Sequence, residues 1–164
     1  MDCWTCRSNS GERRISPGPA IHEGRFWIVE HAYPTLLLGW LVIVLRRHAE
    51  ALHELTREEF LELASVQADI IPELFSILHC EKEYLACYAE LEHFHHIHLH
   101  VVPKPGDLPE NLIGAASFGL LNVPEGEAVP RETVMAFCED LGNRVAMRRA
   151  RQGEVGMGKT EASA

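Results

Sequence analysis

Histidine occupies three alternating positions in one short segment of the chain, at His96, His98 and His100, with aliphatic residues between them. Successive side chains of a β-strand point to opposite faces, so the alternation predicts three imidazoles on one face, about 7 Å apart, and aliphatic side chains directed into a core. We expect Pro103 to end the strand, because proline cannot donate a ladder hydrogen bond. Imidazoles held on a rigid strand can bind a metal, transfer protons or attack a phosphorus centre.

Cys3 and Cys6 form a second candidate site, since a CxxC pair is typical of half a tetrahedral zinc site whose other ligands lie elsewhere. A thioredoxin-like redox role is not favoured, because no βαβ pattern follows the pair. The chain holds five cysteines, an odd number without the spacing of a disulfide framework. We therefore interpret the thiols as reduced and, with no export signal after Met1, expect a cytoplasmic protein.

Length and charge limit the remaining classes of function. The 164 residues predict one domain over residues 1–151, with a disordered Gly- and Ala-containing tail over 152–164. The net charge of −9 excludes a general binder of polymeric nucleic acid, although a local pocket could still hold a small anion. The longest apolar run, residues 36–45, is too short to cross a membrane, so we expect no membrane partner.

Residue patterns predict a mixed α+β fold. Alternating or aliphatic runs indicate four strands, at residues 25–30, 40–45, 83–89 and 95–102. A loop or an extended arm is expected over residues 7–24. Residues 103–130 are expected to be loop-like, with at most a short element at residues 118–121.

Two helices are predicted. A capping box formed by Thr56 and Glu59 begins a helix that runs to about residue 78, with a kink at Pro72. The apolar stripe predicted for this helix is Phe60, Ala64, Ala68, Ile71, Phe75 and Leu78. The second helix covers about residues 131–149, and its predicted core face is Val134, Phe137, Cys138, Leu141 and Val145.

The alternating histidines, followed by two valines and Pro103-Lys104, resemble the signature of the histidine triad superfamily of nucleotidyl hydrolases and transferases. The resemblance covers about residues 3–149 and includes the order of CxxC, strands, helix, triad strand and final helix. It implies an antiparallel sheet of about five strands with one long helix packed on it and a C-terminal helix. It also implies a homodimer.

The resemblance assigns a role to each triad position. His98, in the middle, would attack the α-phosphorus of a nucleotide derivative and form a nucleotidyl-histidine intermediate, while a backbone carbonyl holds its other ring N–H. His100 would bond the phosphate oxygens and the leaving group, and His96 completes the triad. The substrate classes implied are dinucleoside polyphosphates and nucleoside phosphoramidates.

Some members of this superfamily, and the related galactose-1-phosphate uridylyltransferases, join an N-terminal CxxC to two histidines in a structural zinc site. The matching residues are Cys3, Cys6, His48 and His96. His31 or His53 could replace either histidine.

The sequence departs from the family pattern at three places. Trp40 follows Gly39, where many members carry a histidine, and Glu92 stands where many carry a glutamine. The position of the usual ribose-binding acid aligns nearest His31, beside Glu30.

We expect nucleotide contacts at His31, Glu92 and His93. Glu92 also favours an alternative function, a non-catalytic zinc-containing module that binds or senses nucleotides. A metallohydrolase built on the three triad histidines is less favoured, because the first and third lie about 13 Å apart on a strand.

Overall fold

The structure is a computed structural model that describes residues 3–157, and the side chains of residues 3–152. Five antiparallel strands form one sheet in the order β1-β2-β3-β5-β4. The strands are β1 (His22–Glu23), β2 (Trp27–His31), β3 (Leu41–Leu45), β4 (Lys82–Ala86) and β5 (His98–Lys104). The helices are α1 (Trp4–Asn9), α2 (Arg57–Leu78) and α3 (Arg131–Met157), and short 3-10 helices lie at Leu52–Glu54, Glu110–Leu112 and Gly114–Leu120. This arrangement confirms the predicted α+β fold.

The helices α2 and α3 cover one face of the sheet and enclose the main core. Ile43 on β3 and Val101 on β5 are fully buried there, and the indole N–H of Trp27 donates to the carbonyl of Glu59 at 2.8 Å. Because strand side chains alternate, Val42, Val44, His98 and His100 face the other way. The histidines therefore lie on the face of the sheet that the long helices leave uncovered.

The capping box predicted for α2 is confirmed. Thr56 Oγ1 accepts from the amide of Glu59 at 3.2 Å, and the Glu59 carboxylate accepts from the amide of Thr56 at 2.7 Å. The helix ends at Leu78, where His79 adopts a left-handed conformation with φ +49° and its N–H donates to the carbonyl of Phe75. Both ends of this helix therefore lie where the sequence places them.

The buried face predicted for α2 is wrong at four of its six positions. Ile71 and Leu78 pack against the core, whereas the other four are exposed: Phe60, Ala64, Ala68 and Phe75. Phe60 and Phe75 are 44% and 51% exposed, whereas Leu63, Ile70 and Leu74 are buried against the sheet. The helix carries two sets of apolar residues at helical spacing, and periodicity alone cannot decide which set faces the core.

All five residues predicted for the core face of α3, from Val134 to Val145, are buried, as predicted. The helix itself continues to Met157, beyond the predicted end at residue 149. The first part of the predicted disordered tail, residues 152–157, is therefore helical, and residues 158–164 lie outside the described part of the chain.

One loop prediction also needs correction, because the segment 7–24 contains the end of α1 and the whole of β1. In the segment 103–130, the 3-10 helix Gly114–Leu120 overlaps the short element expected at residues 118–121, and the 3-10 helix Glu110–Leu112 precedes it. In α1, Cys3 is the N-cap, with its Sγ accepting from the amide of Cys6 at 3.4 Å. Cysteine is an uncommon capping residue, so residue type alone does not predict this short helix.

Pro103 does not end the triad strand, because β5 continues to Lys104. The pairing between β3 and β5 stops at Leu41 and Val101, while β4 still pairs with Pro103 and Lys104. Beyond Val101 the strand has a neighbour on one side only, and proline is tolerated at such an edge.

None of the helices in residues 3–157 combines the length and apolar content needed to cross a membrane.

Candidate active site and metal cluster

A cavity of about 380 Å³ opens on the sheet face that carries His98 and His100. The two imidazole rings lie 4.9 Å apart between centroids and meet nearly edge to face, at 73°. The volume falls within the range of about 300–1,000 Å³ that is typical of small-molecule sites. Two imidazoles therefore point into a space that can hold a ligand of nucleotide size.

The cavity wall is mostly apolar and aromatic, with a few polar groups. The wall is formed by strands β2 and β3, the N-terminal segment, the segment after β4 and the 3-10 helix Gly114–Leu120. Its aromatic residues are Tyr33, Tyr88, Phe94 and Phe118, and its polar or acidic residues besides the histidines are Thr5, Ser16, Glu30, Glu90 and Asn122. No lysine or arginine lines the cavity among the described residues.

The protonation of His98 is fixed by the chain that precedes it. Its Nδ1 lies 2.6 Å from the carbonyl oxygen of His96. A carbonyl can only accept, so Nδ1 carries the ring proton and Nε2 presents a lone pair. Burial also lowers the pKa of His98, which keeps the ring neutral near pH 7. The residue therefore has the tautomer that a nitrogen nucleophile needs.

His100 lies deeper, at 7% exposure. The indole N–H of Trp40 donates to its Nδ1 at 3.0 Å, and the Phe118 ring contacts it edge-on with centroids 4.9 Å apart. Burial, with the neighbouring His98 as a smaller cause, lowers the pKa of His100 to about 3.

His96, unlike His98 and His100, does not line the cavity. The residue precedes β5, and the chain bends there, with the amide of His96 donating to the carbonyl of Phe94 at 2.7 Å. Its Nδ1 lies 3.5 Å from Cys3 Sγ and 3.4 Å from Cys6 Sγ, and its Nε2 lies 2.7 Å from the carbonyl of Leu45. The side chain of His96 therefore belongs to a different cluster.

Cys3, Cys6, His48 and His96 form that cluster, with their ligand atoms all within 4.8 Å of one another. Tetrahedral zinc, with Zn–S of about 2.3 Å and Zn–N of about 2.05 Å, separates its sulfur and nitrogen ligands by about 3.5 Å. The Sγ atom of Cys6 lies 3.4 Å from Nδ1 of both His48 and His96. A zinc ion fits this four-residue set, as predicted, and four protein ligands make the site structural.

Groups around the cluster also suit a zinc site. Glu50 Oε1 lies 3.2 Å from Nε2 of His48, and the Leu45 carbonyl is close to Nε2 of His96. Metal-bound histidines usually donate their second ring N–H to such acceptors. His31 and His53, the alternatives considered from sequence, lie outside the cluster.

His31 lines the cavity, but both of its ring nitrogens are engaged within the protein. Its Nδ1 lies 2.6 Å from the carbonyl of Ala32, and its Nε2 accepts from the amide of Gly39 at 2.9 Å. Burial lowers its pKa to about 4. The ring therefore shapes the turn between β2 and β3 and can offer a ligand only its apolar face.

Glu92 and His93 do not line the cavity. The Glu92 side chain is 89% exposed, and the His93 ring stacks on Trp4 with centroids 5.0 Å apart. Their nucleotide-binding role stays a prediction, which this placement does not support. Neighbouring residues of the same segment, Glu90 and Leu91, line the cavity instead.

Comparison with known proteins gives no matching family model and no matching curated protein. Solved structures do match. A hypothetical histidine triad nucleotide-binding protein from Sulfolobus tokodaii aligns with TM-score 0.65 and 16% identity, over 88% of this chain and 92% of that one. A zinc-bound histidine triad family protein from Mycobacterium smegmatis aligns with TM-score 0.62 and 20% identity, over 92% and 98%. This chain has the histidine triad fold. A diadenosine triphosphate hydrolase from Plasmodium falciparum shares it, with TM-score 0.55 and 10% identity, over 80% and 76%.

The cavity also holds Ser16, which sequence reasoning missed, and Glu30, which it noted only as the neighbour of His31. Ser16 Oγ is buried, lines the cavity and has no hydrogen-bond partner among the described residues. Glu30 lines the same cavity and is paired with Arg14 at 2.7 Å. The position of Ser16 and the pairing of Glu30 both depend on residues 14–16 folding over the sheet. The polar, glycine-containing composition of that arm does not predict this fold. Trp40, by contrast, could be singled out from the sequence, because it follows Gly39 at a position where the resemblance implies a histidine.

Proposed function

We propose that this protein is a nucleotidyl hydrolase or transferase that acts at the α-phosphate of a nucleotide derivative, with His98 as nucleophile. The observation that carries the proposal is the contact between Nδ1 of His98 and the carbonyl of His96, which leaves Nε2 free in the cavity beside His100. A neutral imidazole can attack phosphorus near pH 7 without a separate base.

The reaction proceeds in two displacements. In the first, the Nε2 lone pair of His98 forms a bond to the α-phosphorus, and the bond to the leaving group breaks with its electron pair. The Nδ1 proton stays on the ring, where the His96 carbonyl stabilises the positive charge. In the second, water or another acceptor attacks the phosphorus, loses a proton to solvent and returns the electron pair to His98. His100, 4.9 Å away, hydrogen-bonds the phosphate oxygens.

The cavity supports a nucleotide as the ligand. Aromatic side chains such as Tyr88 and Phe118 offer faces for a base, and Glu30 and Ser16 offer groups for sugar hydroxyls. Arg14 pairs with Glu30 and so offsets part of the negative charge that would repel phosphate.

The zinc cluster holds the active-site strand in place. His96 contributes its ring to the cluster and its carbonyl to His98, so one residue connects the ligand set to the nucleophile. When bound, zinc supplies structural cross-linking of the N-terminal segment and no chemistry at the phosphate. His96 thus acts through His98 as a positioning residue, and the triad role expected for its side chain is not part of this proposal.

The test is covalent trapping with a nucleotide radiolabelled at the α-phosphate. Protein denatured by detergent at alkaline pH, where the N–P bond to imidazole is stable, should carry the label on His98, and the variant His98→Ala should carry none. His53→Ala is the matched control, because His53 is exposed and outside both the cavity and the cluster. Label that persists in His98→Ala, or that resides on another residue, would refute the nucleophile.

A second candidate is a zinc-containing module that binds nucleotides without turning them over. It is favoured by the absence of lysine and arginine from the cavity lining of the described residues, where Glu30 and Glu90 are present. Nucleotide binding measured by calorimetry, with no label transfer and no product, would support this candidate against the enzyme. The homodimer and the cytoplasmic compartment stay predictions, and sedimentation and cell fractionation test them.

A further inference from the structure

Trp40 fixes the protonation of His100. The indole is fully buried, and its Nε1–H donates to Nδ1 of His100 at 3.0 Å. An indole N–H can only donate, so Nδ1 must present its lone pair and the proton of neutral His100 must reside on Nε2. His98 has the opposite tautomer, because a carbonyl holds its Nδ1–H. The pair therefore presents one lone pair and one N–H to the cavity.

The Trp40 ring is held firmly in this position. Phe118 packs edge-on against the Trp40 ring with centroids 5.1 Å apart. Ala32 and Val102 are the other buried residues of the same apolar cluster. The titratable groups that share the cavity with His100 are two histidines, two glutamates and two tyrosines: His98, His31, Glu30, Glu90, Tyr33 and Tyr88. Glu30 is already paired with Arg14.

Protonating His100 a second time would place a proton on Nδ1 and break its bond to Trp40. The buried indole N–H would then lose its acceptor, which costs free energy in addition to the cost of burying an imidazolium. Both effects agree with the direction of the pKa shift at His100, which burial lowers to about 3. His100 can thus donate a hydrogen bond from Nε2 but has no spare proton to transfer near pH 7.

We propose that the site cleaves phosphoric anhydrides and not alkyl phosphoramidates, because His100 is locked by Trp40 as a hydrogen-bond donor. The inference rests on the proposed function and narrows its substrate class. In an anhydride, His98 Nε2 forms the N–P bond, the P–O bond breaks, and the electron pair leaves on a phosphate oxygen that is stable as an anion. In an alkyl phosphoramidate the P–N bond must break, and the amine needs a proton to leave. Neutral His100 could supply it only by becoming an imidazolate.

The experiment compares two substrates with the same nucleoside: diadenosine triphosphate, and an adenosine 5′-phosphoramidate with an ethylamine leaving group. We expect kcat/KM for the anhydride to exceed that for the phosphoramidate by at least about 100-fold at pH 7, the scale of general-acid catalysis. Trp40→Phe keeps an aromatic ring and removes the donor. The variant should lower the ratio of the two kcat/KM values, anhydride over phosphoramidate, at least about 10-fold. Its phosphoramidate cleavage should increase further below pH 6, because Nδ1 of His100 is then free to take a proton.

Trp27→Phe is the matched control, since it also removes an indole N–H bond, to the Glu59 carbonyl in the main core. It should lower stability and leave the ratio unchanged. Equal cleavage of both substrates by the wild-type protein, or an unchanged ratio in Trp40→Phe, would overturn the inference.

Nitrogen NMR of the histidine rings gives a readout that does not depend on turnover. His100 should show a protonated Nε2 and an unprotonated Nδ1 down to pH 5, and this pattern should disappear in Trp40→Phe. An Nδ1-protonated ring or an imidazolium at His100 above pH 5 would refute the tautomer. If the tautomer is as expected but neither substrate labels His98, the proposed function fails and the substrate preference with it. If the anhydride labels His98 and the phosphoramidate reacts equally fast, the inference alone fails.

Discussion

Replacing Glu59 by glutamine should destabilise the protein at neutral pH and much less in acid. Glu59 is 2% exposed and accepts from Nε and Nη2 of Arg47 at 2.7 and 2.9 Å. The hydrogen bonds from Arg47, with smaller contributions from Thr56, lower the pKa of Glu59 to about 2. Against an unfolded value of about 4.3, this shift corresponds to about 3 kcal/mol. The Arg47 side chain is 44% exposed, so solvent screening reduces the expected effect to about 1–2 kcal/mol.

The direction of the pH dependence follows from the lowered pKa. The stabilisation is fully present above about pH 4.3, where the unfolded carboxylate is ionised, and is lost as the pH falls toward 2 and folded Glu59 is protonated. Glu59→Gln keeps an oxygen that can accept from the amide of Thr56, so the change mainly removes the charge. The difference between the variant and the wild-type protein should therefore be largest at pH 7 and should fall to about a quarter of that value at pH 2.5.

Urea unfolding at pH 7, 4 and 2.5 measures the effect as the difference in free energy of unfolding between wild type and variant. Glu58→Gln is the matched control, because Glu58 is the exposed neighbour in the same helical turn and carries the same charge. It should change the free energy of unfolding by less than about 0.5 kcal/mol. An equal loss in both variants, or a Glu59→Gln deficit that stays constant from pH 7 to pH 2.5, would refute the buried ion pair.

Three further outcomes are expected. Ser16→Ala should raise the free energy of unfolding by about 1 kcal/mol, because it removes a buried unpaired hydroxyl, and should weaken nucleotide binding in calorimetry; unchanged affinity would contradict a ligand contact. Leu74→Ala should cost about 2–5 kcal/mol and Phe75→Ala less than about 1 in urea unfolding, since only Leu74 is buried; the reverse order would contradict the helix orientation. Purified protein should contain one zinc per chain by metal analysis, and Cys6→Ser should lose it and unfold at lower temperature; full zinc content in Cys6→Ser would argue against the cluster.

The sequence predicts well those features that local rules control. The capping box of α2 and the core face of α3 depend on short-range patterns. The CxxC pair likewise indicated half of a zinc site, whereas the two histidine ligands followed from the resemblance to the histidine triad superfamily. The orientation of α2 failed because Phe60 and Leu63 belong to two competing apolar stripes, and only packing against the sheet decides between them. Local periodicity holds no information about that choice.

The candidate site was predictable in part for the same reason. The alternation that places His98 and His100 on one face is a property of any strand, whereas the bend that turns His96 toward Cys3 depends on contacts with distant residues. Similarly, residue type alone could not show that Arg14 pairs with Glu30, because the two come together only through the path of the N-terminal arm. The sequence thus predicted the two imidazoles of the cavity, but not the arm that closes it.

That arm has a consequence for the order in which the protein is completed during synthesis. Cys3, Thr5 and Ser16 leave the ribosome early, but the metal-ligand set is complete only after His96 has emerged. Until then the two cysteines lack at least one histidine of the set, and one wall of the cavity lacks the strand that it covers. Residues of the arm are therefore made before their final partners, and a chain arrested before residue 96 would expose a thiol pair open to oxidation.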